Sequence, residues 1–149
     1  MLQVPPVPAD PIEAQDVQAA SGGSLMPMLG YTLKDADIKI IAGSKTSTIR
    51  EYSDARYDRF AVAQIKGGKL YHYMHPRTPA MRLIAVTDIK DVEIFRFPKN
   101  ASLPEDLARI DGFDSAREMY QWFFSMYGST FPDRKYIRIT WSPPKEVEA

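Results

Sequence analysis

The chain reads as an α+β domain whose sheet is curled into a small barrel, and three observations lead there. Met81 to Phe97 and Lys135 to Trp141 are rich in β-branched and aromatic residues, as strands are. Two serine-led capping patterns, at Ser102 and Ser115, open helices between those strands. The pair Gly67-Gly68 separates two short apolar runs, as a hairpin turn would. Strands, two or three short helices and an odd crossover together point to the α+β class.

Taken in order, residues 1 to 29 hold Pro5, Pro6, Pro8, Pro11 and Pro27, the linker-like Ser21-Gly22-Gly23-Ser24 and no aromatic residue, and are expected to form a disordered or loosely docked arm. The domain is expected over 30 to 142. Thr32 to Asp35 looks like a helix start, with Leu33, Ala36, Ile40 and Ile41 at helical spacing and Gly43 at the end. Phe60 to Ile65, Gly67-Gly68 and Lys69 to Met74 read as a β-hairpin. Met81 to Phe97 reads as one bent strand or two, broken near Asp88 to Asp91. Pro104 in a first turn predicts a short helix, and Ser115 to Tyr127 a longer one with Met119, Trp122, Phe123 and Met126 on its apolar side and Gly128 after it. The closing strand puts Ile137, Ile139 and Trp141 on one face, and Pro143-Pro144 begins a tail over 143 to 149.

Of 149 residues, 19 are basic and 19 acidic, but every Lys and Arg lies from Lys34 onward, so residues 34 to 149 carry 19 − 16 = +3. A mildly basic domain allows a nucleic acid or phosphate partner without requiring one. The longest apolar runs are four residues, too short to span a membrane, and no secretion signal is expected. Without cysteine there is no disulfide framework and no thiolate zinc site, and a cytoplasmic location is the expectation. No cofactor is implied.

The stretch from Gly43 to Arg50 carries the chemistry. It reads G-x-K-x-x-T-x-R with Gly43, Lys45, Thr48 and Arg50. Glycine ends the helix and permits close backbone approach, and in an extended segment Thr48 and Arg50 share a face with Lys45 at the turn above them. An ammonium, a hydroxyl and a guanidinium converging on one spot suit a phosphate, a carbonyl or a polar base edge. The plainer alternative is a loop with ordinary surface charges.

The segment Gly43-Ser-Lys45-Thr-Ser-Thr48-Ile-Arg50 resembles the signature of ASCH domains, small barrels related to the PUA RNA-binding fold. Asp111-Gly112-Phe113-Asp114-Ser115 before an amphipathic helix, and the strand Tyr136 to Trp141, resemble further parts of these domains. The resemblance implies a PUA-like barrel with a cleft for RNA, a nucleoside or a nucleotide. Some members are ribonucleases, and one compact type removes the acetyl group from N-acetylated cytidine with a Lys, a Thr and an acidic residue. Those roles would fall on Lys45, Thr48 and Asp111, with Arg50 holding the ligand or the developing oxyanion. This chain differs from that type in its Asp where a Glu stands, in the N-terminal arm and in a longer middle section, Lys66 to Lys99. For Asp111 the structural alternative is an acid stabilised at a helix N-terminus.

Other residues are open to two readings. Tyr71 and Tyr73 could stack on bases, or alternation could turn both to the core and leave His72 in solvent. His72 and His75 make a poor metal site without a third ligand, so a solvated pair is expected and no metal. Pro76 to Pro79 is a rigid loop whose Arg77 could line the cleft, and Trp122, Phe123 and Phe124 are expected in the core. Three functions follow: a hydrolase, a non-catalytic RNA-binding module, or an interaction module whose arm recruits a protein.

Overall fold

The computed structural model describes residues 27–98 and 102–144. The expected arm lies outside these residues except at 27–29, as does the tail beyond 144. Among the described residues five strands and four helices follow one another as β1 (Met28–Tyr31), α1 (Ala36–Ala42), β2 (Ser47–Glu51), α2 (Asp54–Ile65), β3 (Lys69–Met74), β4 (Arg82–Phe95), α3 (Glu105–Ile110), α4 (Ala116–Tyr127) and β5 (Tyr136–Trp141), with a 3-10 turn at Phe131–Asp133. The class is α+β, as the capped helices and alternating strands indicate.

The sheet runs β1-β3-β4-β5-β2, with β1 parallel to β3 and the other pairs antiparallel. It does not close into the expected barrel, because no ladder joins β1 to β2 among the described residues. It curls far enough that Arg50 Nη2 on β2 donates to Gly30 O on β1 at 2.9 Å. One side chain spans the seam where a ladder would run. The bend comes from β4, whose first half pairs with β3 and whose second half pairs with β5, the register shifting between Ile89 and Asp91. That is the break expected near Asp88 to Asp91.

Two elements differ from expectation. Residues 60–65 are helix rather than the first strand of a hairpin. Ser53 Oγ accepts from Arg56 N at 3.1 Å, Asp54 adds a first-turn acid, and Arg56, Phe60 and Ala63 bury one face at helical spacing. Gly67 and Gly68 then terminate this helix, with Gly67 N donating to Gln64 O and Gly68 N to Ala63 O, the two bonds of a Schellman cap. The same glycines serve either turn type, and packing decided which. Strand β1 had no alternating pattern to reveal it, and it takes in Met28 and Leu29 ahead of the expected boundary at 30. Pro27 O accepts from Tyr71 N at 3.0 Å, which starts its pairing with β3.

Two apolar clusters fill the molecule. Leu29, Tyr31, Ile40, Phe60, Leu70 and Met74 pack with Ile137, Ile139 and Trp141 inside the curl, so β5 presents the face expected of it. Ile49, Phe97, Phe113, Met119, Phe123 and Tyr136 pack α3 and α4 against the far side of β2 and β5. Strand β2 therefore lies between two cores, and among the described residues no strand pairs with its outer edge. Phe124 is 56% exposed and belongs to neither cluster, against expectation, because α4 turns its opposite face inward.

Candidate functional site

Gly43, in the left-handed region at φ 84°, stops α1, and the next two amides, Ser44 N and Lys45 N, both donate to Lys39 O at 3.0 Å. This tight exit turns Lys45 inward, where it is 4% exposed. Its Nζ donates to Ser47 O at 2.8 Å and to the Asp111 main-chain O at 2.6 Å. The ammonium also lies 5.5 Å from the centre of the Tyr31 ring and 5.9 Å from that of Trp141. Burial pulls its pKa down to about 8; Asp111 opposes that shift, and Arg50 and Lys39 add to it.

Strand β2 carries Thr48 and Arg50 on the face shared with Ile137 and Ile139. Arg50 Nε donates to Thr48 Oγ1 at 3.2 Å, and the Arg50 guanidinium lies 5.4 Å from the Tyr31 ring centre. Asp111 caps the C-terminus of α3, not the N-terminus of a helix as the alternative reading had it. It is 4% exposed, and its Oδ1 accepts from Ser47 Oγ at 2.9 Å. Burial raises its pKa, opposed by Lys45, the Ser47 hydrogen bond, Arg138 and Arg50. Thr46 N donates to Ile110 O at 2.8 Å, which ties the end of α3 to the start of β2.

Gly112 makes this meeting possible. Its φ is +101°, and a Cβ there would stand 2.8 Å from Lys45 Cδ. Lys39 Nζ holds the same turn by donating to Gly112 O at 2.8 Å.

Lys45, Thr48, Arg50 and Asp111 line one hollow of about 70 Å³ at the seam between β1 and β2. Tyr31, Leu33 and Ile49 line it together with the α4 side chains Trp122, Met126 and Tyr127. Charged groups thus meet inside an apolar frame, where low polarizability strengthens each electrostatic contact. At roughly 15 Å³ for each water the space suits about five waters, the scale of a single planar ring. The hydrogen bonds are not those of a poised nucleophile and base, because Thr48 Oγ1 is held by Arg50 and Lys45 Nζ by two carbonyls.

The remaining sequence candidates lie elsewhere. Gly43 shapes the turn but does not line the hollow; Tyr71 and Tyr73 are half-buried on the opposite face of β3 from Leu70, His72 and Met74; Arg77 is exposed in its loop at φ 63°. His72 is fully buried rather than solvated. Tyr31 Oη lies 2.8 Å from its Nδ1 and Thr87 Oγ1 2.8 Å from its Nε2, so both ring nitrogens are satisfied without water. Burial, with Lys45 and Arg50 nearby, pushes its pKa down to about 3 and keeps the ring neutral. His75 is exposed, and among the described residues no group of three or more His, Asp or Glu side chains gathers to hold a metal. No helix among them is long and apolar enough to cross a membrane.

Sequence reasoning missed Tyr31, Ser47 and Ile49. Ser47 and Ile49 sit inside the G-x-K-x-x-T-x-R stretch, and their alternation with Thr48 could have marked them. Tyr31 carried no local signal, since only the curl of the sheet brings it to the seam. Compared with family models, curated proteins and solved structures, the chain matches none.

Proposed function

We propose that the seam binds a nucleoside, as a free molecule, a nucleotide or a base of RNA, and that the domain is ASCH-type, a PUA-like curl left open at its ligand cleft. The observation that carries this reading is the convergence of Lys45, Thr48, Arg50 and Asp111, drawn from segments up to 66 positions apart, on one ring-sized hollow with aromatic walls. Donors dominate the polar side and Asp111 supplies the acceptor, a set that suits a base with carbonyl and amine groups. The test is calorimetry of the full chain against cytidine, uridine, N4-acetylcytidine and a short single-stranded RNA. Micromolar to millimolar binding that Arg50→Ala removes is the expected result; no binding to any of them refutes the reading.

Turnover is the second reading, favoured by the fall of the Lys45 pKa to about 8. On an N-acylated base, neutral Lys45 would take the Thr48 hydroxyl proton as Thr48 Oγ1 bonds to the amide carbonyl carbon. The C–N bond would then break, the base leaving as its amine with a proton delivered through Lys45, and water would hydrolyse the ester to acetate. Arg50 would have to release Thr48 Oγ1 first. Acetate release from N4-acetylcytidine that rises through about pH 8 and disappears in Lys45→Ala supports this; RNA or nucleoside binding that survives Thr48→Ala with no release on any substrate makes the site a binding module.

A further inference from the structure

The ladder between β2 and β5 fixes where each β2 backbone group points. Trp141 N donates to Thr46 O at 2.9 Å and Tyr52 N to Lys135 O at 3.2 Å, so residues 46, 48, 50 and 52 direct their N–H and C=O toward β5. The intervening residues direct theirs away from it, toward the unpaired edge. Ser47 O confirms the parity, because it receives Lys45 Nζ on that outer side. Ile49 lines the hollow, and among the described residues no hydrogen bond takes its N–H or its C=O. A main-chain donor and acceptor left without partners among the described residues, on a residue only 6% exposed, point to something that pairs with them when it arrives.

We propose that the main chain of Ile49 reads the ligand, with its N–H and C=O pairing with adjacent acceptor and donor atoms on the edge of a pyrimidine. An extended residue offers these two groups side by side in one plane, as an opposing strand would meet them. The amide edge of uracil, a ring N–H beside a carbonyl, matches that pattern, and the amidine edge of cytosine matches it with the roles exchanged. The neighbouring outward carbonyls are already taken: Ser47 O by Lys45 Nζ at 2.8 Å, and Glu51 O by Arg56 Nη1 at 2.6 Å. One residue's worth of free edge suits a single ring and leaves too little for a peptide strand. The inference rests on the nucleoside reading of the seam.

The full chain is titrated by calorimetry with uridine and with 3-methyluridine, whose methyl group removes the ring donor and blocks that edge. The expected result is uridine binding with 3-methyluridine weaker by roughly tenfold or more, the loss of one to two hydrogen bonds. A second arm compares Ile49→Pro with Ile49→Val, which has the same number of side-chain carbons but keeps the amide. Proline is tolerated on an edge strand whose N–H lies outside the ladder. Ile49→Pro is expected to bind uridine roughly tenfold more weakly than Ile49→Val. Equal affinity for the two nucleosides overturns the inference and leaves the nucleoside reading standing, and this arm decides even where Ile49→Pro does not fold. Binding of neither nucleoside overturns the inference for uracil, and the nucleoside reading falls with it only where cytidine, N4-acetylcytidine and the single-stranded RNA also fail to bind; capture of an extended peptide along β2 in their place overturns the assignment to a ring.

Discussion

Replacing Lys45 with Met should remove a pH dependence of stability that this side chain alone imposes. An ordinary lysine has a pKa of 10.5, and Lys45 in the folded protein sits at about 8 because its ammonium is desolvated with no carboxylate in ion-pair contact. Between those values the unfolded chain binds the proton more tightly than the native one. Stability therefore increases with pH across this window, and is lost as pH falls back through 8. Linkage puts the gain between pH 7 and pH 9 at about 1.4 kcal/mol. The buried phenols Tyr31, Tyr127 and Tyr136, whose pKa values are raised by burial, oppose it by under about 0.1 kcal/mol each at pH 9 and only matter nearer pH 10. Urea unfolding at both pH values, on the wild type and on Lys45→Met, measures the gain as a difference of differences in which those phenols cancel. A wild-type gain larger by about 1 to 1.5 kcal/mol is expected. If both proteins change by the same amount, Lys45 keeps an ordinary pKa, and the reasoning from its burial to a neutral amine near pH 8 fails.

Gly112→Ala should destabilise the domain by about 1–3 kcal/mol, from a strained positive φ and a collision with Lys45 Cδ, and should also abolish nucleoside binding; thermal unfolding and calorimetry check the two effects. On the acid side, His72 stays neutral in the fold down to about pH 3 while it charges at about 6.5 in the unfolded chain, so stability falls with pH. The loss from this group between pH 7 and pH 5 is about 2 kcal/mol, and His72→Gln should remove it in unfolding curves. Arg50→Met should break the side-chain bridge to Gly30 O, and faster amide exchange in β1 than in β4 would report the freed edge. Ser53→Ala should cost about 1 kcal/mol in urea unfolding through loss of the α2 cap.

Local chemistry made much of the fold legible. The β5 face of Ile137, Ile139 and Trp141, the cap at Ser115 and the bend of β4 near Asp88 to Asp91 all rest on period, capping or composition, which neighbouring residues carry among themselves. Residues 60–65 were misread because Phe60, Val62 and Gln64 alternate as readily as Phe60 and Ala63 repeat helically, and only the Ser53 cap and the packing of Arg56 and Phe60 decide between them. His72 was misplaced because a histidine looks polar until two partners, Tyr31 and Thr87, satisfy its nitrogens in the core.

By itself the sequence determined an α+β chain in which Gly43, Lys45, Thr48 and Arg50 share one short turn and strand, since glycine's freedom and the two-residue repeat act over a few positions. Tertiary structure decided that the sheet stays open, that Asp111 and Tyr31 arrive beside Lys45, and that Tyr71, Tyr73 and Arg77 stay away. It also decided which edge of β2 faces the hollow and so which main-chain groups point away from the ladder with β5. Those outcomes depend on how far one bent strand curls the sheet, a sum of packing contacts between residues remote in sequence that no local pattern records.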